Sequence, residues 1–367
     1  MALNLQIVNG LTHIHENFPE LKLDHPTVKR RCSVAIIIRF PGIDIPADIK
    51  DVQHVFDQVK REPSSQSAEI LFIKRTSRKG DRWSGHVALP GGKRDPEDES
   101  DLAAAQRETL EEVGIDLVKD GLLVGPLDQR FVKTSWGRVT LMTLCPYIFL
   151  VSGVSTPPLK LQPTEIDRAF WIPVSQLFGS QAGTNGYEIV PLGDRLRLHE
   201  RPLIPRFLHP FIKSWVIGSM RFNAINLMNP LDMEVADFEL GGYDAVPAPT
   251  ELQLPYKLWG LTNGIILDFL EIVRPKTEIM KFSYPTMQAL DLRLILAILT
   301  FNFRRKKQSL FKSIPVPYQE GKMDLAGIAL DGYFKYLAKG IIIGLALRAT
   351  VVTLIIYKLL IKFVKRR

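Results

Sequence analysis

Cysteine is scarce, with Cys32 and Cys145 the two in 367 residues. Two thiols cannot build a disulfide scaffold or a four-cysteine zinc site, and so low a count suits a reducing, intracellular compartment. Repeats are lacking, and the 25 Gly and 25 Pro follow no period, which excludes collagen-like and low-complexity chains. Met1 to Glu16 has neither the basic start nor the apolar run of a secretory signal, and the spacing of Leu5, Val8, Leu11 and Ile14 predicts a short amphipathic helix instead. Acidic residues are thin at one end. From Pro275 to Arg367 there are 17 Lys+Arg against 5 Asp+Glu, whereas the first 274 residues carry 30 against 34. The basic stripe that a nucleic-acid binder displays on its folded domain is missing. An acidic body with a basic, apolar tail points to a soluble domain tethered to an anionic membrane surface.

The hydrophobic share of 46% and charged share of 23% are those of a globular chain. Strands are expected at Cys32–Phe40, Glu69–Arg75, Gly121–Phe131, Val139–Val151, Ile166–Ile172 and Tyr256–Leu261. Helices are expected near Val52–Val59, over Leu102–Val113 and over Thr262–Ile272. Gly179–Gln253 yields no clear pattern. The alternation indicates an α/β or α+β sandwich.

Chemistry concentrates in Gly91–Ile115, GGKRDPEDESDLAAAQRETLEEVGI. Glu108, Glu111 and Glu112 fall at i, i+3 and i+4 on one helical face. Three carboxylates there repel one another, and a hard divalent cation turns that repulsion into coordination; oxygen ligands suit Mg²⁺ or Mn²⁺. Arg107, four residues before Glu111, can orient a carboxylate by a forked hydrogen bond. Gly91 and Gly92 allow close backbone approach, so that the Gly91 carbonyl can join the metal shell, and Gly114 can end the helix. An arbitrary ExxEE is a solvated face; the paired glycines upstream, the glycine stop downstream and the adjacent arginine set this one apart.

The stretch resembles the signature of the Nudix hydrolases, Gly-x5-Glu-x7-Arg-Glu-hydrophobic-x-Glu-Glu-x-Gly-hydrophobic. RETLEEVGI matches its core, with Thr109 where an aliphatic is usual. Counted back from Arg107, the leading glycine falls on Lys93 and Glu99 takes the early glutamate's place, so one extra residue sits within Lys93–Asp101. The variant GGKRDPxD is similar to the coenzyme A diphosphatase branch. LFIKRTSRKGDRWSGHVALPGG and KLWGLTNGIILDFL are similar to other stretches of that branch, although Asp81 replaces an expected arginine and Leu89 a phenylalanine.

The resemblance, over about Cys32–Ile272, implies a Nudix-type α/β/α sandwich with a mixed sheet; the poor match over Gly179–Leu252 suggests an insertion, and the basic, apolar C-terminal part a membrane-binding helical tail. The chain is accordingly divided into a lead over 1–31, a hydrolase domain over 32–274 with an insertion at 179–252, and a tail over 275–367. The resemblance further implies cleavage of a diphosphate linkage in a nucleoside diphosphate-type small molecule by a water activated at a Glu108/Glu111/Glu112-bound Mg²⁺ or Mn²⁺. Arg75, Arg82 and Lys93 are candidates for substrate phosphate, and His86 for substrate contact or a hydrogen bond in its turn. Glu165 is the candidate base, or else a surface loop carboxylate. Trp171 is expected in the core, Trp83 and Trp136 in loops where they could stack on a base, and Cys145 buried and inert. Coenzyme A or acyl-coenzyme A, another conjugate such as ADP-ribose, NADH or a dinucleoside polyphosphate, and a catalytically silent membrane-bound sensor all stay open as readings.

Gly340–Ile361 has the length of one bilayer span, flanked by lysines and by the terminal Lys365-Arg366-Arg367, and is expected to be a transmembrane helix, with an in-plane helix or a soluble helix packed on the body as the alternatives. Arg348 opposes insertion by about 2.5–3.5 kcal/mol, roughly balanced by the surrounding Leu, Ile and Val. Leu292–Phe303, ending in Arg304-Arg305-Lys306-Lys307, suits a short interfacial helix, and Gln308–Asp324 a linker.

Overall fold

The computed structural model describes residues 2–17, 23–46, 49, 51–62, 66–77, 84–133, 139–178, 185–192, 218–228, 230–235, 256–277, 279–313 and 324–365. Arg82, Trp83 and Trp136 lie outside the described residues. The elements run α1 (Ala2–Asn17), β1 (Arg31–Arg39), α2 (Val52–Arg61), β2 (Glu69–Arg75), β3 (Val87–Ala88), β4 (Gly91–Lys93), α3 (Asp101–Val113), β5 (Gly121–Pro126), β6 (Arg130–Lys133), β7 (Thr140–Val151), β8 (Ile166–Pro173), α4 (Val174–Leu177) and β9 (Asn185–Pro191). They continue with β10 (Ser219–Leu227), β11 (Leu231–Val235), β12 (Tyr256–Trp259), α5 (Gly260–Val273), β13 (Thr286–Met287), α6 (Leu290–Ser313), α7 (Leu325–Leu330) and α8 (Tyr333–Val364).

The chain forms two compact units. The first, Met1–Gly186 with Ala224–Phe282 and Ile314–Ile328, holds a mixed sheet in the order β11-β8-β2-β1-β7-β5. Its centre is the parallel pair of β1 and β7, in register from Arg31/Thr143 to Arg39/Val151. β1 and β2 pair antiparallel, and so do β2 and β8. Side chains of a strand alternate between faces. Ala35, Ile37, Leu71, Ile73, Tyr147 and Phe149 pack with Ala105 and Val113 of α3 on one face. Ile36, Ile38, Phe72, Ile148 and Leu150 are fully buried on the other, the side of α1, α2 and α5. Helix, sheet and helix make an α/β/α sandwich. Near-continuous apolar strands such as CSVAIIIRF are what a sheet covered on both faces requires.

The structure departs from the sequence expectation at two places. Gly121–Phe131 is two strands, β5 and β6, not one. The chain breaks between them where the Gln129 side chain turns inward to accept from the Leu23 N–H and Arg31, and the Leu127 N–H donates to the Pro146 carbonyl. The poorly patterned stretch after Gly179 contains strands β9, β10 and β11.

The second unit combines Tyr187–Asn223, Ser283–Ser313 and Ala329–Arg367. Met220 and Arg221 pair with β13. A separate core of Leu192, Met220, Met287, Leu292, Leu296, Tyr333 and Leu337 fills this unit. The expected interfacial helix over Leu292–Phe303 is longer than its apolar run: α6 covers Leu290–Ser313. RRKKQSLFK holds strong helix formers and no Gly or Pro to stop it. Among the described residues one helical stretch, Leu325–Val364, is long and apolar enough to cross a membrane.

Candidate active site

Gly91 and Gly92 place β4 against β1, with Cys32/Lys93, Ser33/Gly92 and Val34/Gly91 in register. Gly91 has φ of 141°, and a Cβ there would lie 2.2 Å from the Ser33 carbonyl oxygen, so only glycine fits. A Cβ on Gly92 would fall 2.3 Å from Glu108 Oε2. The paired glycines thus form the wall against which one α3 carboxylate lies. The local fold of α3 follows from its ends. The Ser100 hydroxyl accepts from the Ala103 N–H, and Gly114 closes the helix in the left-handed conformation at φ 77°. Thr109 occupies an aliphatic position fully buried because its hydroxyl donates to the Ala105 carbonyl at 2.7 Å.

The three glutamates have separate environments. Glu112 is buried, its side chain 2% exposed, and Oε2 accepts the Gly91 N–H at 2.8 Å. Arg75, at the end of β2, brings Nη1 to 3.7 Å from Glu112 Oε1. Burial pushes the Glu112 carboxyl up to about 8 against the pull of the Gly91 N–H and Arg75. Glu108 is also raised, first by burial, with the Arg107 charge opposing. Glu111 is 58% exposed on its side chain and pairs with Arg107 Nη1 at 3.0 Å. Glu165, in the turn before β8, adds its negative charge to both Glu108 and Glu112. Its carbonyl accepts the Thr76 N–H, which fixes that turn beside Arg75.

Arg107 is the hub. It pairs with Glu108 and Glu111 at 3.0 Å, donates to the Lys93 carbonyl at 3.1 Å and forms a two-point pair with Asp98. Asp98 was not among the expected site residues, and Glu99 is exposed. The signal for Asp98 lies in the forward count. From Gly92 the spacing Gly-x5 ends on Asp98, and the extra residue falls between Asp98 and Arg107. Arg94 braces the same loop through the Asp98 and Glu99 carbonyls and Asp101, and Arg31 pairs with Asp101.

The remaining candidates are spread around this centre. Lys93 is exposed, with Nζ 3.6 Å from Asp95. The His86 ring lies 4.7 Å from the Trp259 ring, and its carbonyl accepts the Arg75 N–H. Trp171 is 1% exposed in the core beneath the Arg39 guanidinium. Cys145 is buried, and burial pushes its thiol up to about 12, outside the range of a reactive thiolate.

Among the described residues no three His, Cys, Asp or Glu side chains converge as a ready cation cage. The donor chemistry nevertheless fits a hard divalent ion. Glu108 and Glu112 are carboxylates whose charged form burial disfavours, with the Glu165 charge beside them, and a cation relieves that excess of negative charge.

The NUDIX domain family model matches residues 59–192. The Schizosaccharomyces pombe protein C14C4.10c is 31% identical over 361 residues, 97% of each chain. The human mitochondrial coenzyme A diphosphatase NUDT8 is 30% identical over 149 residues, which span 40% of this chain and 56% of that one. Among solved structures, a C. elegans Ap4A hydrolase overlays 40% of this chain and 80% of its own at 16% identity and a TM-score of 0.27. The family match runs unbroken from β2 through the Gly91–Gly92 wall and α3 to β8, the segments that assemble the carboxylates, and on this ground residues 59–192 are a NUDIX domain, the domain of hydrolases that act on pyrophosphate bonds.

Proposed function

We propose that this Nudix hydrolase cleaves the diphosphate linkage of a nucleoside diphosphate conjugate, coenzyme A or acyl-coenzyme A before others, at an intracellular membrane to which its C-terminal tail holds it. The observation that carries the reaction is the placement of Glu108 and Glu112 around Gly91 and Gly92, with Arg75 and the Glu165 charge alongside. Glu108, Glu111 and Glu112, with the Gly91 carbonyl, would hold Mg²⁺ or Mn²⁺. When bound, such an ion neutralises diphosphate charge and lowers the pKa of a bound water.

The chain's own residues do the rest. Arg75 pairs with phosphate oxygens in place of its long contact to Glu112, and Lys93 turns from Asp95 to the same anion. Arg107 holds Glu111 and Glu108 in place from the Asp98 anchor. Glu165 takes the proton from the attacking water onto its carboxylate. His86, against Trp259, borders the substrate side. GGKRDPxD and the identity to a coenzyme A diphosphatase over 149 residues support the coenzyme A reading.

The test is product release by the full chain in detergent with Mg²⁺ or Mn²⁺. The panel holds coenzyme A, acyl-coenzyme A, ADP-ribose, NADH and a diadenosine polyphosphate. The expected result is a phosphopantetheine and an adenosine bisphosphate from coenzyme A. Preferred cleavage of another member discards coenzyme A and keeps the chemistry. A folded, metal-binding protein that cleaves none of them overturns the enzymatic reading in favour of a ligand sensor.

A further inference from the structure

The apolar run over Gly340–Ile361 is divided by Arg348, and the structure treats its two halves differently. Up to Arg348, α8 is held within the second unit. A Cβ on Gly340 or Gly344 would lie 2.6 or 2.0 Å from Leu296 or Leu292 of α6, so these glycines form a close seam between the two helices. Arg348 ends that seam. Its guanidinium meets Asp291 of α6 at two points, Nε to Oδ2 at 2.6 Å and Nη2 to Oδ1 at 2.7 Å. Beyond it, every residue from Ala349 to Lys365 is exposed.

That exposed half is built for lipid. Apart from lysines and the Tyr357 hydroxyl, its polar side chains are Thr350 and Thr353, and both threonine hydroxyls donate to the carbonyls four residues back, at 3.0 and 2.9 Å. No hydrogen-bonding group of either threonine then needs water to donate to. Lys358, Lys362 and Lys365 recur at i, i+4 and i+7, a single basic stripe suited to anionic headgroups. At 1.5 Å per residue, Ala349–Val364 is about 24 Å long, short of the roughly 30 Å hydrocarbon layer.

We propose that the lipid-embedded segment begins after Arg348 and comprises Ala349–Val364, and that the Arg348–Asp291 pair is a collar outside the hydrocarbon rather than a charge carried across its middle. This rests on the membrane tether proposed above. The basic stripe and the short length set the helix obliquely in one leaflet, with Lys358 and Lys362 reaching its headgroups.

The test attaches an environment-sensitive fluorophore to single cysteines introduced into the full chain at Ile343, Leu347, Val352, Ile355 and Leu359, with Cys32 and Cys145 buried and unlabelled. Each protein is mixed with vesicles of phosphatidylcholine and phosphatidylserine. Lipid-like emission at Val352, Ile355 and Leu359, with water-like emission at Ile343 and Leu347, is expected. Equal embedding at all five positions overturns the collar and restores a span centred on Arg348. No response anywhere overturns the tether itself. Asp291→Asn gives an independent readout. With Arg348 outside the lipid, vesicle partition changes less than about threefold; an unpaired arginine at mid-span lowers it about a hundredfold.

Discussion

Arg107 reaches Asp98 by two parallel hydrogen bonds, Nε to Oδ1 at 2.9 Å and Nη2 to Oδ2 at 3.0 Å, and the same guanidinium holds Glu108 and Glu111. The loop before α3 is thereby tied to two of the three glutamates through one side chain. The acid at the residue following Asp98, Glu99, has its side chain in solvent.

Asp98→Ala is therefore expected to lower kcat about tenfold to a hundredfold, because a charge-assisted two-point pair is worth roughly 1.5–3 kcal/mol and its loss frees Arg107 to move. Glu99→Gln should leave both kcat and the unfolding midpoint within error. Steady-state kinetics on the two variants checks the assignment; equal losses, or a loss in Glu99→Gln alone, would return the anchoring role to Glu99.

The glycine pair separates folding from catalysis. Gly91→Ala sets a Cβ 2.2 Å from the Ser33 carbonyl oxygen and 2.6 Å from Val34 Cα, at a positive φ. Neither backbone atom can give way without breaking the β1–β4 pairing, so this variant should be strongly destabilised or insoluble. Gly92→Ala meets the Glu108 carboxylate instead, which is the far end of a flexible side chain. It should fold with a melting temperature within a few degrees of the parent and lose about tenfold or more in kcat. Thermal melts and rates on both proteins decide; a Gly92→Ala enzyme with full activity would remove Glu108 from the reaction.

Helix α3 was legible in the sequence because its signals are local. Ser100, the glutamates at one face and Gly114 lie within fifteen residues, and each acts on its near neighbours. The central strands were legible because a sheet buried on both faces leaves apolar β-branched runs. The break between β5 and β6 was not, since it depends on Gln129 meeting Leu23 and Arg31 about a hundred residues away. The partner of Arg348 was hidden for the same reason: Asp291 is 57 positions earlier. Asp98 was hidden differently, behind an insertion whose position shifts with the end from which the motif is counted.

Acid should strip stability from the loop that carries Asp98 and Asp101. Two hydrogen bonds from Arg107 hold the Asp98 carboxyl below its ordinary range. Burial works to raise Asp101, but the hydrogen bonds and charge of Arg31, with Arg94, outweigh it and hold this group low as well. A carboxyl titrating lower in the folded chain than its unfolded value of about 3.9 adds stability that is complete above roughly pH 5 and lost as the pH falls through the folded pKa. The urea midpoint should thus drop below about pH 4, and Asp101→Asn should be less stable at neutral pH with a shallower acid limb. An acid limb in that variant as steep as the parent's would assign the loss to other groups.

Glu112→Gln tests the metal reading with the least change of shape. The amide keeps an oxygen to accept the Gly91 N–H and stays as uncharged as burial prefers, so the fold is retained. What it loses is a negative donor for a hard cation. The parent should bind Mn²⁺ by titration calorimetry and rise in melting temperature with Mn²⁺ concentration, as binding to the native state alone requires. Glu112→Gln should melt at or above the metal-free parent, respond little to Mn²⁺ and turn over at least about a hundredfold more slowly. Glu111→Gln, altering an exposed side chain paired with Arg107, should keep the parent's metal-free melting temperature and lose activity through the same ion. If both variants hydrolyse the diphosphate as fast as the parent and show the same Mn²⁺ response, these carboxylates do not hold the cation, and the Asp95, Asp98 and Asp101 loop becomes the next place to search for its ligands.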